Sequence, residues 1–274
     1  MSHLWNYKRF IRRRLDSLVR PLRRPWMRAD DLIQGMETLG IDIRRPILVH
    51  SSLSACGYVP GGVQTILSAI STYMGSESLI TMPAHSWHQV SQGLREFDVR
   101  TTPSCVGAIS EAFRSVPHVE RSLHPTHSLA ALGKNSAEFL LGHEQASTPC
   151  GAGSPYHTLL LSNATVFFLG AGFDSNTSYH CVEALCKVPY LLLEEVDEFV
   201  LVNRAGVRTQ ARIRRHRPGV SRNLSRLFKA LSSAGIVRRS QIRGTSCMAF
   251  DGKDFLDFLS ERLESDVNYL LNAD

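Results

Sequence analysis

Residues 174 to 183 read Asp-Ser-Asn-Thr-Ser-Tyr-His-Cys-Val-Glu and follow the apolar run Val166-Phe167-Phe168-Leu169-Gly170-Ala171-Gly172. Carboxylates, an amide, hydroxyls and an imidazole therefore arrive together at the end of a strand-like segment. Histidine is the side chain suited to moving a proton near neutral pH. Glu183 stands three positions beyond His180, so on a helix the two share a face, and the carboxylate can hold the imidazole in one tautomer. Asp174-Ser175-Asn176-Thr177 has the composition of a turn and helix cap. Cys181 adjoins His180, but neighbours on a helix point about 100° apart, which argues against a thiol nucleophile there.

Two further polar stretches carry chemistry. His50-Ser51-Ser52-Leu53, with Gly57 to Gly62 behind it, offers hydroxyls and free backbone N–H groups to phosphate or amide oxygens. His124-Pro125-Thr126-His127-Ser128 supplies two more imidazoles and a hydroxyl. His85-Ser86-Trp87-His88 and His124 to His127 are both HxxH pairs, which leaves a zinc-dependent deacetylase or other amidohydrolase open. Few carboxylates stand near enough in sequence to complete such a site.

The elements that must position these groups follow from hydrophobic periodicity. Residues 28–40 read as a helix stopped by Gly40, 46–50 as a buried strand, 61–74 as a helix opened by Gly61-Gly62, and 78–82 as a strand. Residues 104–114 then read as a helix, 129–133 as a strand, 136–141 as a short helix and 165–170 as a central strand. Beyond them, 199–214 alternates like antiparallel strands, and 223–234 and 252–264 are amphipathic helices. That order predicts an α/β fold, a layered α/β/α sandwich on a mostly parallel, mixed sheet. In such sheets ligands bind at the carboxyl ends of strands, where the polar clusters lie.

The chain has 274 residues, 43% of them hydrophobic and 20% charged, enough for one large domain with a substantial core. Its net charge of +6 is uneven, because residues 1–28 hold nine Lys or Arg against Asp16 alone, leaving −2 for the remainder. A basic amphipathic helical arm is expected over 1–28, either packed on the domain or a partner subunit or in peripheral contact with an anionic membrane, and one domain over 29–274. No apolar run reaches the roughly 20 residues needed to span a bilayer, so a cytoplasmic location is expected, with the inner membrane face as a variant. The six cysteines show no CxxC spacing and read as reduced thiols. Nucleic acid is not an expected partner, and a homo-oligomer is left open.

Several stretches together resemble the aminoglycoside 3-N-acetyltransferase family: Val49-His50-Ser51-Ser52-Leu53 with Gly61-Gly62, Thr102-Pro103-Ser104 with Gly107, and Arg121-Ser122-Leu123-His124-Pro125-Thr126-His127-Ser128 with Ala131-Leu132-Gly133. The likeness continues through His143, Gly151-Ala152-Gly153-Ser154-Pro155 and Gly170 with Asp174-Ser175-Asn176-Thr177, ending at His180 and Glu183. It spans about residues 29 to 270. The resemblance implies a fold other than the common GNAT-type acetyltransferase fold, acetyl-CoA as donor, no metal, an amine of an amino sugar or aminoglycoside as acceptor, and direct transfer without an acyl-enzyme. By position, His50, Ser51, Ser52, Thr102, Ser104 and Gly107 would hold the coenzyme arm. Asp174, Asn176, His127 and Ser128 would bind the acceptor, and His180, Glu183 and His124 would do the chemistry. An ammonium must lose its proton before it attacks a thioester, which gives His180 the base's part. An imidazolium at His124, or backbone N–H groups near Ser51 or Ser128, would then meet the oxyanion.

The acceptor is where charge speaks. A polycationic aminoglycoside favours an acidic cleft, whereas Arg204, Arg208, Arg212, Arg214, Arg215 and Arg217 form a basic cluster within what reads as a polar hairpin. The expectation is therefore a biosynthetic amino sugar, with aminoglycoside resistance as the alternative.

Overall fold

The computed structural model describes residues 26–272, so the expected arm lies almost wholly outside the described residues. The central sheet has seven strands in the order β4-β5-β2-β1-β6-β10-β9. These are β1 (Ile47–Ser51), β2 (Ile80–Pro83), β4 (Glu120–Arg121), β5 (Leu129–Leu132), β6 (Thr165–Leu169), β9 (Arg238–Ile242) and β10 (Thr245–Asp251). The parallel pairings are the two made by β1, with β2 and with β6. Outward from that trio every pairing is antiparallel.

Alternation along β1 and β6 builds the layers. Ile47, Val49, Phe167 and Leu169 face one core with the helices Ala29–Thr38, Val63–Met74 and Ala108–Arg114. Leu48, Val166 and Phe168 face a second core with the helices Pro155–Leu161, Ser178–Leu185, Leu224–Ser233 and Gly252–Ser265. Strands buried on both faces read as continuous apolar runs, which is how β1 and β6 appear in the sequence. Leu129, Ala130 and Ala131 of β5 are likewise fully buried. The strand ends at Gly133, whose φ is +120° and where a Cβ would sit 1.9 Å from the Ser78 carbonyl oxygen, so only glycine fits.

A smaller sheet, β3 (Glu96–Asp98), β7 (Leu192–Val202) and β8 (Arg208–His216), projects from the sandwich in the order β3-β7-β8. β7 and β8 are the antiparallel pair expected from the alternation, longer at the start of the first strand than the sequence reading placed it. Val90, Phe97, Phe199, Leu201 and Ile213 form its own core. The pair β9 and β10 and the helix Pro155–Leu161 were not anticipated. Among the described residues no helix is long and apolar enough to cross a membrane.

Candidate active site

The helix Ser178–Leu185 starts where β6 runs out. Gly170 turns the chain at φ +68°, a single 3-10 turn spans Phe173–Ser175, and Asn176 Oδ1 accepts the N–H of Ser178 at 2.9 Å. His180 and Glu183 then fall on one helical face. The imidazole Nδ1 donates to Glu183 Oε2 at 2.8 Å, which leaves Nε2 as the nitrogen free to work. Glu183 is fully buried, and its second oxygen accepts from Arg222 Nε at 2.7 Å.

Burial alone would raise the Glu183 pKa, but the bonds from His180 and Arg222 together hold it below the usual carboxylate range. The carboxylate stays ionised. Burial is also the largest influence on His180, and with the Arg222 charge it outweighs the bond to Glu183, so the imidazole titrates below its ordinary value. At neutral pH the His180 imidazole is therefore unprotonated.

Other imidazoles gather around it. His216, the last residue of β8, lies with its ring 4.4 Å from that of His180 and 4.5 Å from that of His127, and His85 follows 4.6 Å from His127. Burial, reinforced by mutual repulsion, pushes His85, His127 and His216 well below the ordinary histidine value. His50, stacked on Phe168, is pushed down to about 3 by burial alone. The column is neutral.

His180 lines a cavity of about 460 Å³ together with His50, Ser51, His85, Trp87, His127, Asp174, Asn176 and Tyr179. Next to it runs a groove of about 750 Å³ bordered by Ser51, Ser52, Gly107, Gly170, Gly172 and Asp174. The two share Ser51, Val106, Asp174 and Ser175. His50 Nε2, Ser51 Oγ and Asn176 Nδ2 are buried polar atoms without a protein partner, and all three residues line the cavity. Such atoms suit a ligand rich in amide, carbonyl and hydroxyl groups. Glycines along the groove let backbone approach a long, thin ligand closely, as a pantetheine arm requires.

The site residues read from sequence therefore divide. His180, His50, Ser51, His127, Asp174 and Asn176 border the cavity, Ser52 and Gly107 border the groove, and Glu183 stands behind His180. His124, Thr102, Ser104 and Ser128 border neither. His124 Nδ1 accepts the N–H of His127 at 3.0 Å, the ring stacks on His143, and burial keeps it neutral, so the imidazolium expected there does not fit. The Thr102 carbonyl and Ser128 Oγ both accept from the buried Arg121, and the Ser104 N–H donates to Glu111. In this structure these groups brace the loops. One histidine of each HxxH pair meets the other, His85 and His127 with rings 4.6 Å apart, but His85 Nε2 bonds to Tyr156 Oη, and among the described residues no three His, Cys, Asp or Glu stand in a metal-binding arrangement. Burial pushes the Cys181 thiol up to about 12, away from the thiolate a nucleophile needs.

His216 and Arg222 were missed by sequence reasoning. Arg222 lies outside the polar clusters that follow the central strands, and the run Arg214-Arg215-His216-Arg217 at the end of β8 reads as part of a solvated hairpin. Alternation along β8 gave no signal for His216, since it shares the phase of the exposed Arg212 and Arg214 while Ala211 and Ile213 face inward.

Residues 48–264 match the family model for aminoglycoside 3-N-acetyltransferase. The chain is 26% identical over 247 residues to the SPbeta prophage-derived aminoglycoside N(3')-acetyltransferase-like protein YokD of Bacillus subtilis, covering 83% of this chain and 89% of that one. It is 28% identical over 255 residues to aminoglycoside N(3)-acetyltransferase IX of Micromonospora chalcea, covering 83% and 90%. The solved structure of AAC-IIIb in a binary complex with CoASH superposes with a TM-score of 0.75 at 20% identity, over 91% of this chain and all of that one. With a family model spanning most of its length and a His–Glu pair at the end of the central strand, the chain belongs to the aminoglycoside 3-N-acetyltransferase family.

Proposed function

We propose that this chain transfers the acetyl group of acetyl-CoA to an amine of an aminoglycoside, with His180 as general base. The observation that carries the reading is the neutral His180 imidazole, braced by Glu183, in a cavity that opens through Ser51 and Asp174 into the adjoining groove. Acetyl-CoA supplies an activated thioester carbonyl. His180 Nε2 takes the proton of the ammonium and releases it to solvent, the freed amine forms the new C–N bond as the C–S bond breaks, and the second proton that the nitrogen sheds on becoming an amide passes through Nε2 to the departing thiolate. Glu183 stabilises the imidazolium formed in passing. Ser51 Oγ, buried without a partner, is the donor available to charge building on the carbonyl oxygen.

The relatives that carry a named substrate class are aminoglycoside N(3)-acetyltransferases, which supports an aminoglycoside over the biosynthetic amino sugar expected from overall charge. One observation favours the second reading. Asp174 is the single carboxylate among the cavity-lining residues, and Glu183 already holds two partners. A polycation would find little counter-charge there, whereas an amino sugar with few positive charges would not need it.

Thiol release from acetyl-CoA, measured with gentamicin-type aminoglycosides and with nucleotide-linked amino sugars, separates the two. Turnover of the antibiotics is expected. Turnover confined to the nucleotide-linked sugars would transfer the proposal to the second reading. With whichever acceptor turns over, His180→Ala should lower kcat by roughly 10²–10⁴-fold and leave coenzyme A binding by calorimetry intact.

A further inference from the structure

The His–Glu pair continues into the C-terminal third of the chain. Arg222 precedes the helix Leu224–Ser233, and a backbone bridge to Leu271 fixes its position. Its side chain is 9% exposed, its Nη1 donates to the Val220 carbonyl, and its guanidinium lies over the rings of Tyr179 and Tyr190 at 5.5 and 5.8 Å. A cation this enclosed is costly unless it has a task that burial serves.

The task is legible in the Glu183 carboxylate. A carboxylate bonded only through Oε2 can rotate about its terminal torsion, so one bond to His180 leaves the acceptor's direction loose. Arg222 Nε takes Oε1 at 2.7 Å while His180 Nδ1 takes Oε2 at 2.8 Å, and both oxygens are fixed. Charge points the same way. A buried carboxylate facing one imidazole would draw a proton onto it, and a His180 that is already protonated cannot act as a base. With Arg222 the trio sums to zero when His180 is neutral and to +1 after it takes the substrate proton.

Resting on the reading of His180 as base, we propose that Arg222 is a positioning residue for acetyl transfer, clamping Glu183 and balancing its charge so that His180 enters the reaction neutral with Nε2 free. The groups facing His180 from elsewhere are His216 of β8, His127 before β5, His85 beyond it and Tyr179 on its own helix. The imidazoles among them are held neutral by burial, so Arg222 is the nearby cation that acts on His180.

Two variants test this. Arg222→Gln keeps an N–H donor for Glu183 but removes the charge, and Arg222→Lys keeps the charge. In Arg222→Gln the imidazole of His180, followed by NMR titration of the whole protein, should gain a proton about one to two pH units higher than in the wild type, the size expected for a lost unit charge a few ångströms away. The acidic limb of kcat/KM should move up with it, a loss of roughly tenfold or more on that limb, while KM for acetyl-CoA stays put. Arg222→Lys should leave both titrations within a few tenths of the wild type. A merely structural role would lower activity at every pH without moving either curve, and that result in Arg222→Gln would overturn the proposal. Should that variant not fold, a shift of a full unit in Arg222→Lys would overturn it equally. Because the NMR titration reads His180 without turnover, failure of the clamp is distinguishable from failure of the base assignment, which would show as His180→Ala retaining full kcat.

Discussion

Arg121 and Arg208 are one residue type in opposite settings. Arg121 lies under the strand ends, buried, its guanidinium over the Phe97 ring and its N–H groups donating to the carbonyls of Ala84 and Thr102 and to the hydroxyls of Ser86 and Ser128. Burial pushes its pKa down to about 9. Arg208 stands on the outer edge of the β3-β7-β8 ribbon, more than half exposed, in a two-pronged pair with Glu96. Around Arg121 polar groups are buried and matched one by one, and the imidazoles are neutral. On the ribbon, charges are paired near the surface, Arg208 with Glu96 in water and Arg95 and Arg215 with the half-covered Asp197. The site region stakes its stability on every partner being present, whereas the ribbon spreads weak, screened pairs over a solvated face.

Acid should break this contrast most completely. Five buried imidazoles, His50, His85, His124, His127 and His143, and the largely enclosed His180 and His216 titrate below the ordinary histidine value in the fold, with His143 pushed down to about 4 and His50 to about 3. Below the unfolded value of 6.5 the unfolded chain binds protons that the folded one refuses, so stability is full above that pH and is lost as pH falls toward 4 and then 3. A melting series from pH 7.5 to 4 should show a steep, cooperative fall. A flat profile would mean that the imidazoles are hydrated and that the strand-end region is no different from the ribbon.

Arg121→Met comes next. Removing the hub takes the arginine donor from the Thr102 carbonyl and from the hydroxyls of Ser86 and Ser128, leaving the Ala84 carbonyl only Ser128 Oγ, in a closed space, and should cost about 3–5 kcal/mol by urea unfolding. A cost under about 1 kcal/mol, the range of exposed pairs, would erase the distinction. Arg208→Gln is the smallest change expected. It should shift the melting midpoint slightly at low salt and not at all in 1 M salt, and a large, salt-independent loss would show that the ribbon pair is structural after all.

Legibility in the sequence followed the same division. β1 and β6 were readable because strands buried on both faces are written as unbroken apolar runs, and the turn into His180 was readable because carboxylates, amide and hydroxyls crowd after glycine. β9 was not, because Arg238, Arg239 and Gln241 interrupt its alternation at the sheet edge. β10 mixes Ser246 and Cys247 into a short run that resembles a loop. At the site, polarity at a strand end reads as ligand contact. That holds by position for Ser51 and Asn176, but Thr102, Ser104 and Ser128 use their polar groups on Arg121 and Glu111 instead. Local pattern cannot tell a group that waits for a ligand from one that serves a buried cation brought in by a distant strand. Arg222 was invisible for the same reason, since its partner lies 39 residues away.

The antiparallel docking of β10 against β6 has a consequence for the order in which the molecule comes into being. The ribosome delivers β1, β2 and β6 first, yet β6 has a bare flank until β10, some 80 residues later, slides in beside it as an interior strand. Arg222 arrives on that same late stretch. A nascent chain halted after the ribbon would present the unpaired edge of β6 and a buried-type carboxylate at Glu183 with no cation to meet it. Catalytic competence and protection from edge-to-edge aggregation should therefore be acquired together, in the last step of synthesis rather than piece by piece.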